Sequence, residues 1–103
     1  MNRVKQLDII IVNYNSTDFL LKCLESIYRH VGEIPVNIFV FDNNSVDNVS
    51  RVTWHYPEVR LTVRNCNIGF ARAVNACIAQ GDSPYLLILN PDSVVMDGFF
   101  QSA

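Results

Sequence analysis

Four short apolar runs, spaced by segments of helical periodicity, restrict this chain more than any other feature. They are DIIIV at 8–12, VNIFVF at 36–41, VRLTV at 59–63 and YLLIL at 85–89. Each has strand length and is rich in Ile, Val, Leu or aromatic residues. Three of the four are apolar without alternation, the pattern of strands covered on both faces and therefore of a mostly parallel sheet. Between the first two runs, residues 16–31 place Leu20, Cys23, Leu24, Ile27, Tyr28 and Val31 on one stripe. Ser16 stands where an N-cap belongs and Asp18 falls in the first turn. A second helix is expected over 70–80, with Phe70, Ala73, Val74, Cys77 and Ile78 on one face and Gly81 ending it. The stretch 46–56 reads as a shorter, irregular helix closed before Pro57, with Trp54 and Tyr56 packed beneath it. Strands alternating with helices under right-handed crossovers give an α/β, three-layer, doubly wound fold. At 103 residues it is a single domain, 1–103, without repeats or linkers.

Half of the residues are apolar, and a chain of this length buries about two-thirds of the surface its unfolded form exposes, so a true core is available. The formal net charge is only -2 and no basic stripe occurs, which excludes a nucleic-acid footprint. Asp8, Asn13 and Asn15 interrupt the first apolar run too soon for a secretory signal or a membrane span, so a cytoplasmic location is expected. Without a secretory signal, the glycosylation-like triplets at 15–17, 43–45 and 48–50 reflect loops rich in Asn. Cys23, Cys66 and Cys77 are odd in number and lack metal-type spacing, so they are read as reduced. His30 and His55 are isolated and support no zinc or haem site.

The apolar runs exit into Asn13-Tyr14-Asn15, Asp42-Asn43-Asn44-Ser45, Arg64-Asn65-Cys66-Asn67-Ile68-Gly69 and Asn90-Pro91-Asp92-Ser93. In a parallel sheet all four clusters share the carboxyl edge, where open α/β folds bind ligands. Any one of them alone would be an ordinary turn. Neither a dinucleotide fingerprint, a P-loop nor a nucleophile elbow is present, and DNNSVDN lacks the glycine of a calcium loop. An anion and metal site remains. Asp92 at the end of a buried strand offers a carboxylate to Mg²⁺ or Mn²⁺, and Pro91 restricts the turn that aims it.

VNYNS at 12–16, FDNNSVDN at 41–48, NIGFARAVN at 67–75 and LNPDSVV at 89–95 resemble, in order and spacing, the successive signatures of family 2 glycosyltransferases of the GT-A fold. The LNPD ending is closest to the rhamnosyltransferase-like branch, and the resemblance runs from Asp8 to about Phe100. It implies the Rossmann-like half of a GT-A fold with strand order 3-2-1-4, and a nucleotide pocket formed by Asn13, Asn15, Asp42, Asn44, Asn67 and Gly69. Asp42 is expected to hydrogen-bond the base or ribose. Asp92 takes the metal position of the family's DxD element, with Asn90 in place of its first Asp. Arg72 is either a diphosphate clamp or a solvated surface arginine, and Asn75 is expected to cap or brace the loop, a structural role. Asp47 and Asp97 are expected to face solvent.

The resemblance further implies binding of a UDP- or dTDP-sugar with Mg²⁺ or Mn²⁺, and inverting transfer to a saccharide acceptor in cell-wall or polysaccharide synthesis. A position at the inner face of the membrane fits such a role. In the family the general base follows the LNPD segment, so the chain to Ala103 is expected to bind donor without transferring sugar alone. The alternative is a non-catalytic nucleotide- or protein-binding module that keeps only the fold. An uncovered fourth strand, together with Val94, Val95, Met96, Phe99 and Phe100, is expected to promote a homodimer.

Overall fold

The computed structural model describes residues 6–100. Seven elements follow in order: β1 (Leu7–Asn13), α1 (Thr17–His30), β2 (Val36–Asp42), α2 (Arg51–His55), β3 (Arg60–Val63), α3 (Phe70–Ile78) and β4 (Tyr85–Leu89). The strands form one sheet in the order β3-β2-β1-β4, with every pairing parallel. This is the order implied by the resemblance. β1 is central, and Ile9, Ile10 and Ile11 are fully buried because helices cover both faces of the sheet.

Alternation along the strands divides the core in two. Ile9, Ile11, Ile38 and Val40 point to α1 and α2, meeting Leu20, Cys23, Leu24, Ile27 and Val52. Ile10, Phe39 and Phe41 point the other way, to Ala73, Val74 and Cys77 of α3. Phe70 and Ile78, expected on that buried face, are exposed at the two ends of α3, which is too short for its terminal side chains to reach the sheet.

α2 is a single turn that buries only Val52, and so it leaves Trp54 70% exposed instead of packed. Tyr56 does pack: its ring stacks on Tyr28 with centroids 5.0 Å apart. Burial, followed by a hydrogen bond to Glu58, raises the pKa of the Tyr28 hydroxyl above the usual phenol range. Burial also pushes Cys77 up to about 11, so it stays a thiol at neutral pH.

β4 forms the open edge, with Tyr85, Leu86 and Ile88 exposed. The residues after it behave less uniformly than expected. Val95 and Phe100 are buried in the α1-side core, and the Val95 amide donates to Ser26 Oγ on α1 at 2.9 Å. Val94 and Met96 remain exposed on the outside of the same turn, as does Phe99, whose ring meets Phe100 edge-on. No helix among the described residues is long and apolar enough to cross a membrane.

Candidate functional site

The parallel sheet brings the loops after β1, β2, β3 and β4 to one edge, and a single stretch of chain stitches three of them together. At its centre lies Asp42, 1% exposed. Its Oδ2 accepts the Ser45 amide at 2.9 Å, while its Oδ1 accepts the Ser45 hydroxyl at 2.6 Å and Asn13 Nδ2 at 3.0 Å. Local bonds from an Asp side chain to a residue three positions on are how such a loop is turned. Every oxygen of the carboxylate is therefore engaged within the protein. Asn13 is fully buried beside it, and its Oδ1 accepts no hydrogen bond.

Asn15 and Asn44 both adopt positive φ, 52° and 70°, which Asn tolerates better than other residues with a side chain. For Asn15 the reason is visible. Its amide donates to Ser45 Oγ at 2.8 Å and its Oδ1 accepts the Val46 amide at 2.7 Å, which locks the β1 loop onto the β2 loop. Asn44 is exposed on the same loop.

Asn43 makes the third connection. Its Oδ1 accepts the Ile68 amide at 3.1 Å, and its Nδ2 donates to the Gly69 carbonyl at 3.3 Å. Asn67 Oδ1 accepts the Gly69 amide at 2.8 Å, closing a turn whose φ of 86° at Gly69 requires glycine. Arg72 is exposed in the first turn of α3, a position compatible with either role expected for it. Asn75 is exposed, and its side chain makes no hydrogen bond among the described residues.

Asp47 departs from its expected place. It does not face solvent but caps α1: Oδ2 accepts the Thr17 amide at 3.0 Å and Oδ1 accepts the Thr17 hydroxyl at 2.7 Å. Ser16, at the N-cap position, makes no capping bond and donates instead to the Tyr14 carbonyl. A carboxylate delivered from the neighbouring loop is the stronger acceptor, and it displaces the local hydroxyl. Thr17, Asn43, Ser45 and Asp47, whose side chains hold these loops together, were not among the expected site residues. The spacing Asp42, Ser45, Asp47 opposite Asn15 and Thr17 was the available signal.

The β4 end stands somewhat apart. Asn90 and Asp92 are exposed, in a turn closed by the Ser93 amide donating to the Asn90 carbonyl at 3.0 Å. That carbonyl also faces the Cys23 thiol of α1 at 3.9 Å. Burial pushes Cys23 up to about 11, with the Asp92 carboxylate adding to the rise. Among the described residues no three His, Cys, Asp or Glu side chains gather as metal ligands. The donor set is one open carboxylate beside an amide, which suits a hard cation that takes its remaining oxygens from a bound phosphate or water.

Two grooves lie elsewhere. One of ≈ 450 Å³ runs between α1 and residues 94–97, bordered by Lys22, Arg29 and His30. The other, of ≈ 420 Å³ and mostly apolar, lies between β1, β4 and the Phe99–Phe100 pair.

Comparison with known proteins assigns this arrangement. Residues 8–103 match the family model described as "Glycosyl transferase family 2". An N-acetylglucosaminyl-diphospho-decaprenol L-rhamnosyltransferase of Mycobacterium tuberculosis is 32% identical, over 84% of this chain and 32% of its own length. The chain thus spans about a third of that curated relative. Among solved structures, S. aureus TarS superposes with a TM-score of 0.82 at 17% identity, over 94% of this chain and 30% of TarS, and has also been solved in complex with UDP. A Pyrobaculum calidifontis mannosyltransferase in complex with GDP-Man and Mn²⁺ superposes with a TM-score of 0.73 at 20% identity, over 90% of this chain and 29% of its own. At these identities the structural matches establish the fold. Taken with the family model over nearly the whole chain and the rhamnosyltransferase relative, they show that the chain belongs to glycosyl transferase family 2 and has the sheet order of a GT-A half-domain.

Proposed function

We propose that residues 1–103 form one domain that binds the donor in an inverting glycosyltransferase, taking a UDP- or dTDP-sugar for transfer to a saccharide acceptor. The observation that carries this reading is the cluster of buried Asn13 and Asp42 with half-buried Ser45, and the three loops it braces at the carboxyl edge of a family 2 sheet. Turns need no such buried amide chemistry, whereas a nucleoside needs a rigid polar cradle. Asn13, Asn15, Asn44, Asn67 and Gly69 supply its backbone and amide edges. Asp42 braces them from beneath through three of the roughly four acceptor sites of its carboxylate, and the remaining site on Oδ2 is the one to hydrogen-bond the base or ribose. The open Oδ1 of Asn13 adds one more acceptor to the floor.

Asp92, with Asn90 beside it, would hold Mg²⁺ or Mn²⁺ together with the donor's diphosphate. Bound there, the cation would neutralise the charge that develops on the leaving diphosphate. With a single carboxylate in the set, metal affinity is expected to depend on donor. Arg72 is the candidate to contact the diphosphate from the first turn of α3. None of the chain's residues is assigned as the catalytic base. The rhamnosyltransferase relative supports a role in cell-wall or polysaccharide synthesis, and such a role would put the chain in the cytoplasm or at the inner face of a membrane.

Titration of the chain with UDP, followed by NMR, tests the assignment. Amide shifts are expected at 12–15, 42–45 and 90–93, with affinity raised about tenfold, ~1.4 kcal/mol, by Mg²⁺. Asp92→Ala should abolish the Mg²⁺ effect and spare metal-free binding. Shifts confined to other residues would reject the pocket.

The open β4 edge supports pairing with a second copy. Leu87 packs against the α1-side core, so the informative substitution is Ile88→Lys on the exposed face. Sedimentation should show a concentration-dependent dimer that Ile88→Lys removes. A monomer at every concentration would refute pairing.

A further inference from the structure

We propose that Asp47 is a positioning residue for the donor: its carboxylate plugs the N-terminus of α1 and so directs the diphosphate away from that helix, toward the β4 end of the edge. This rests on the nucleotide-binding reading and adds to it a reason why the diphosphate would need Asp92.

In open α/β nucleotide proteins the helix after the first strand commonly receives phosphate on its free N–H groups, where the helix dipole is positive. α1 follows the central strand and occupies that position in this sheet. Here the place is filled. Thr17 gives both its amide and its hydroxyl to Asp47, at 3.0 Å and 2.7 Å. The next residue, Asp18, adds a second carboxylate to the same turn, and Arg51 reaches it at 2.9 Å. A diphosphate approaching α1 would meet the Asp47 carboxylate, an Asp18 already paired with Arg51, and a terminus whose first donor is taken.

The plug is held by the same bonds that build the nucleoside cradle. Asp42 fixes Ser45, Ser45 Oγ accepts the Asn15 amide, and Asn15 Oδ1 accepts the Val46 amide one residue before Asp47. The nucleoside loops and the block on α1 are therefore one unit. By contrast, the first turn of α3 carries Arg72 and no acid.

The test compares the Thr17 amide in the unmodified chain and in Asp47→Ala, using inorganic phosphate and UDP as separate probes. In the unmodified chain, phosphate should leave Thr17 unmoved. In Asp47→Ala it should produce a saturable shift there, UDP should now perturb Thr17, and the Mg²⁺ enhancement of UDP binding should fall from about tenfold to under about threefold. Asp47→Asn keeps an acceptor for the Thr17 amide and should retain the unmodified behaviour on all three counts. If Asp47→Ala does not fold, Asp47→Ser, too short to reach Thr17, should show the same phosphate response. A Thr17 amide that stays silent to phosphate in a folded Ala or Ser variant would overturn the proposal, as would an undiminished Mg²⁺ effect. Absence of UDP binding to the unmodified chain would sink the nucleotide reading instead, and the phosphate comparison would still decide the plug.

Discussion

Gly81→Ala is expected to destabilise the fold by about 3 kcal/mol, and in a domain of this size that lowers the melting temperature by roughly 15 °C. A Cβ at Gly81 would stand 1.9 Å from Asp8 Oδ2 and 2.9 Å from its Cγ. Asp8 cannot swing aside. It is 5% exposed on the central strand, its Oδ1 accepts the Ser83 hydroxyl at 2.7 Å and Asn37 Nδ2 at 3.2 Å, and its Oδ2 accepts the Ser83 amide at 3.3 Å. The methyl group must therefore either displace the α3–β4 loop or break bonds to a buried carboxylate, each worth about 1.5–3 kcal/mol. Urea unfolding gives the size of the effect, and Asp8→Ala gives its cause. In the Asp8→Ala background the same glycine substitution should cost under about 1 kcal/mol, because the obstructing oxygens are gone. Equal costs in the two backgrounds would show that the collision is not the reason glycine is required.

Gly81 also marks the limit of what patterning reveals. As a helix terminator it was legible, since it follows the last residues of the α3 periodicity. Its collision with Asp8 was not, because the two lie far apart in sequence and meet only once β4 pairs with β1. The same distinction runs through the chain. Continuous apolar runs identified β1 and β2, since burial on both faces leaves that direct imprint, whereas the equally continuous run of β4 belongs to an edge strand that leaves Tyr85, Leu86 and Ile88 exposed. Trp54 misled because hydrophobicity tells nothing about how many turns α2 has available to bury it. At the site, residue types placed Asn13, Asn15, Asp42 and Asn67 on one edge, but the pattern held no information on which side chains face the ligand and which brace the loops. Asp42 is engaged from three directions, and Asp47 lends its charge to a helix thirty residues away. Such assignments depend on the distance between loops. Strand order sets that distance, and only the resemblance had supplied strand order.

Asp42→Ala is expected to cost about 3–4 kcal/mol in stability and to weaken UDP binding at least about tenfold, with or without Mg²⁺. The substitution strands the Ser45 amide and leaves Asn13 Nδ2 only its long bonds of 3.4 Å to Thr17 Oγ1 and Ser45 Oγ, in a region where Asp42 and Asn13 are at most 1% exposed, so water cannot readily take over as acceptor. Asp42→Asn should recover about half of the stability. An amide oxygen in place of Oδ2 still accepts the Ser45 amide, and the new NH₂ group then faces Asn13, whose side chain would otherwise oppose it donor to donor. Asn13 has an unused acceptor, and rotating its amide brings Oδ1 to the new donor. The Ser45 hydroxyl would then have to exchange its role as donor to Asp42 for that of acceptor, so the Asn15 amide that it anchors is loosened and nucleoside affinity recovers less than stability does. Urea unfolding and UDP titration of the two variants, side by side, measure both orderings. Equal stabilities for the Ala and Asn variants would show that Asn13 does not turn, and UDP affinity unchanged in Asp42→Ala would show that the buried carboxylate does not support the cradle.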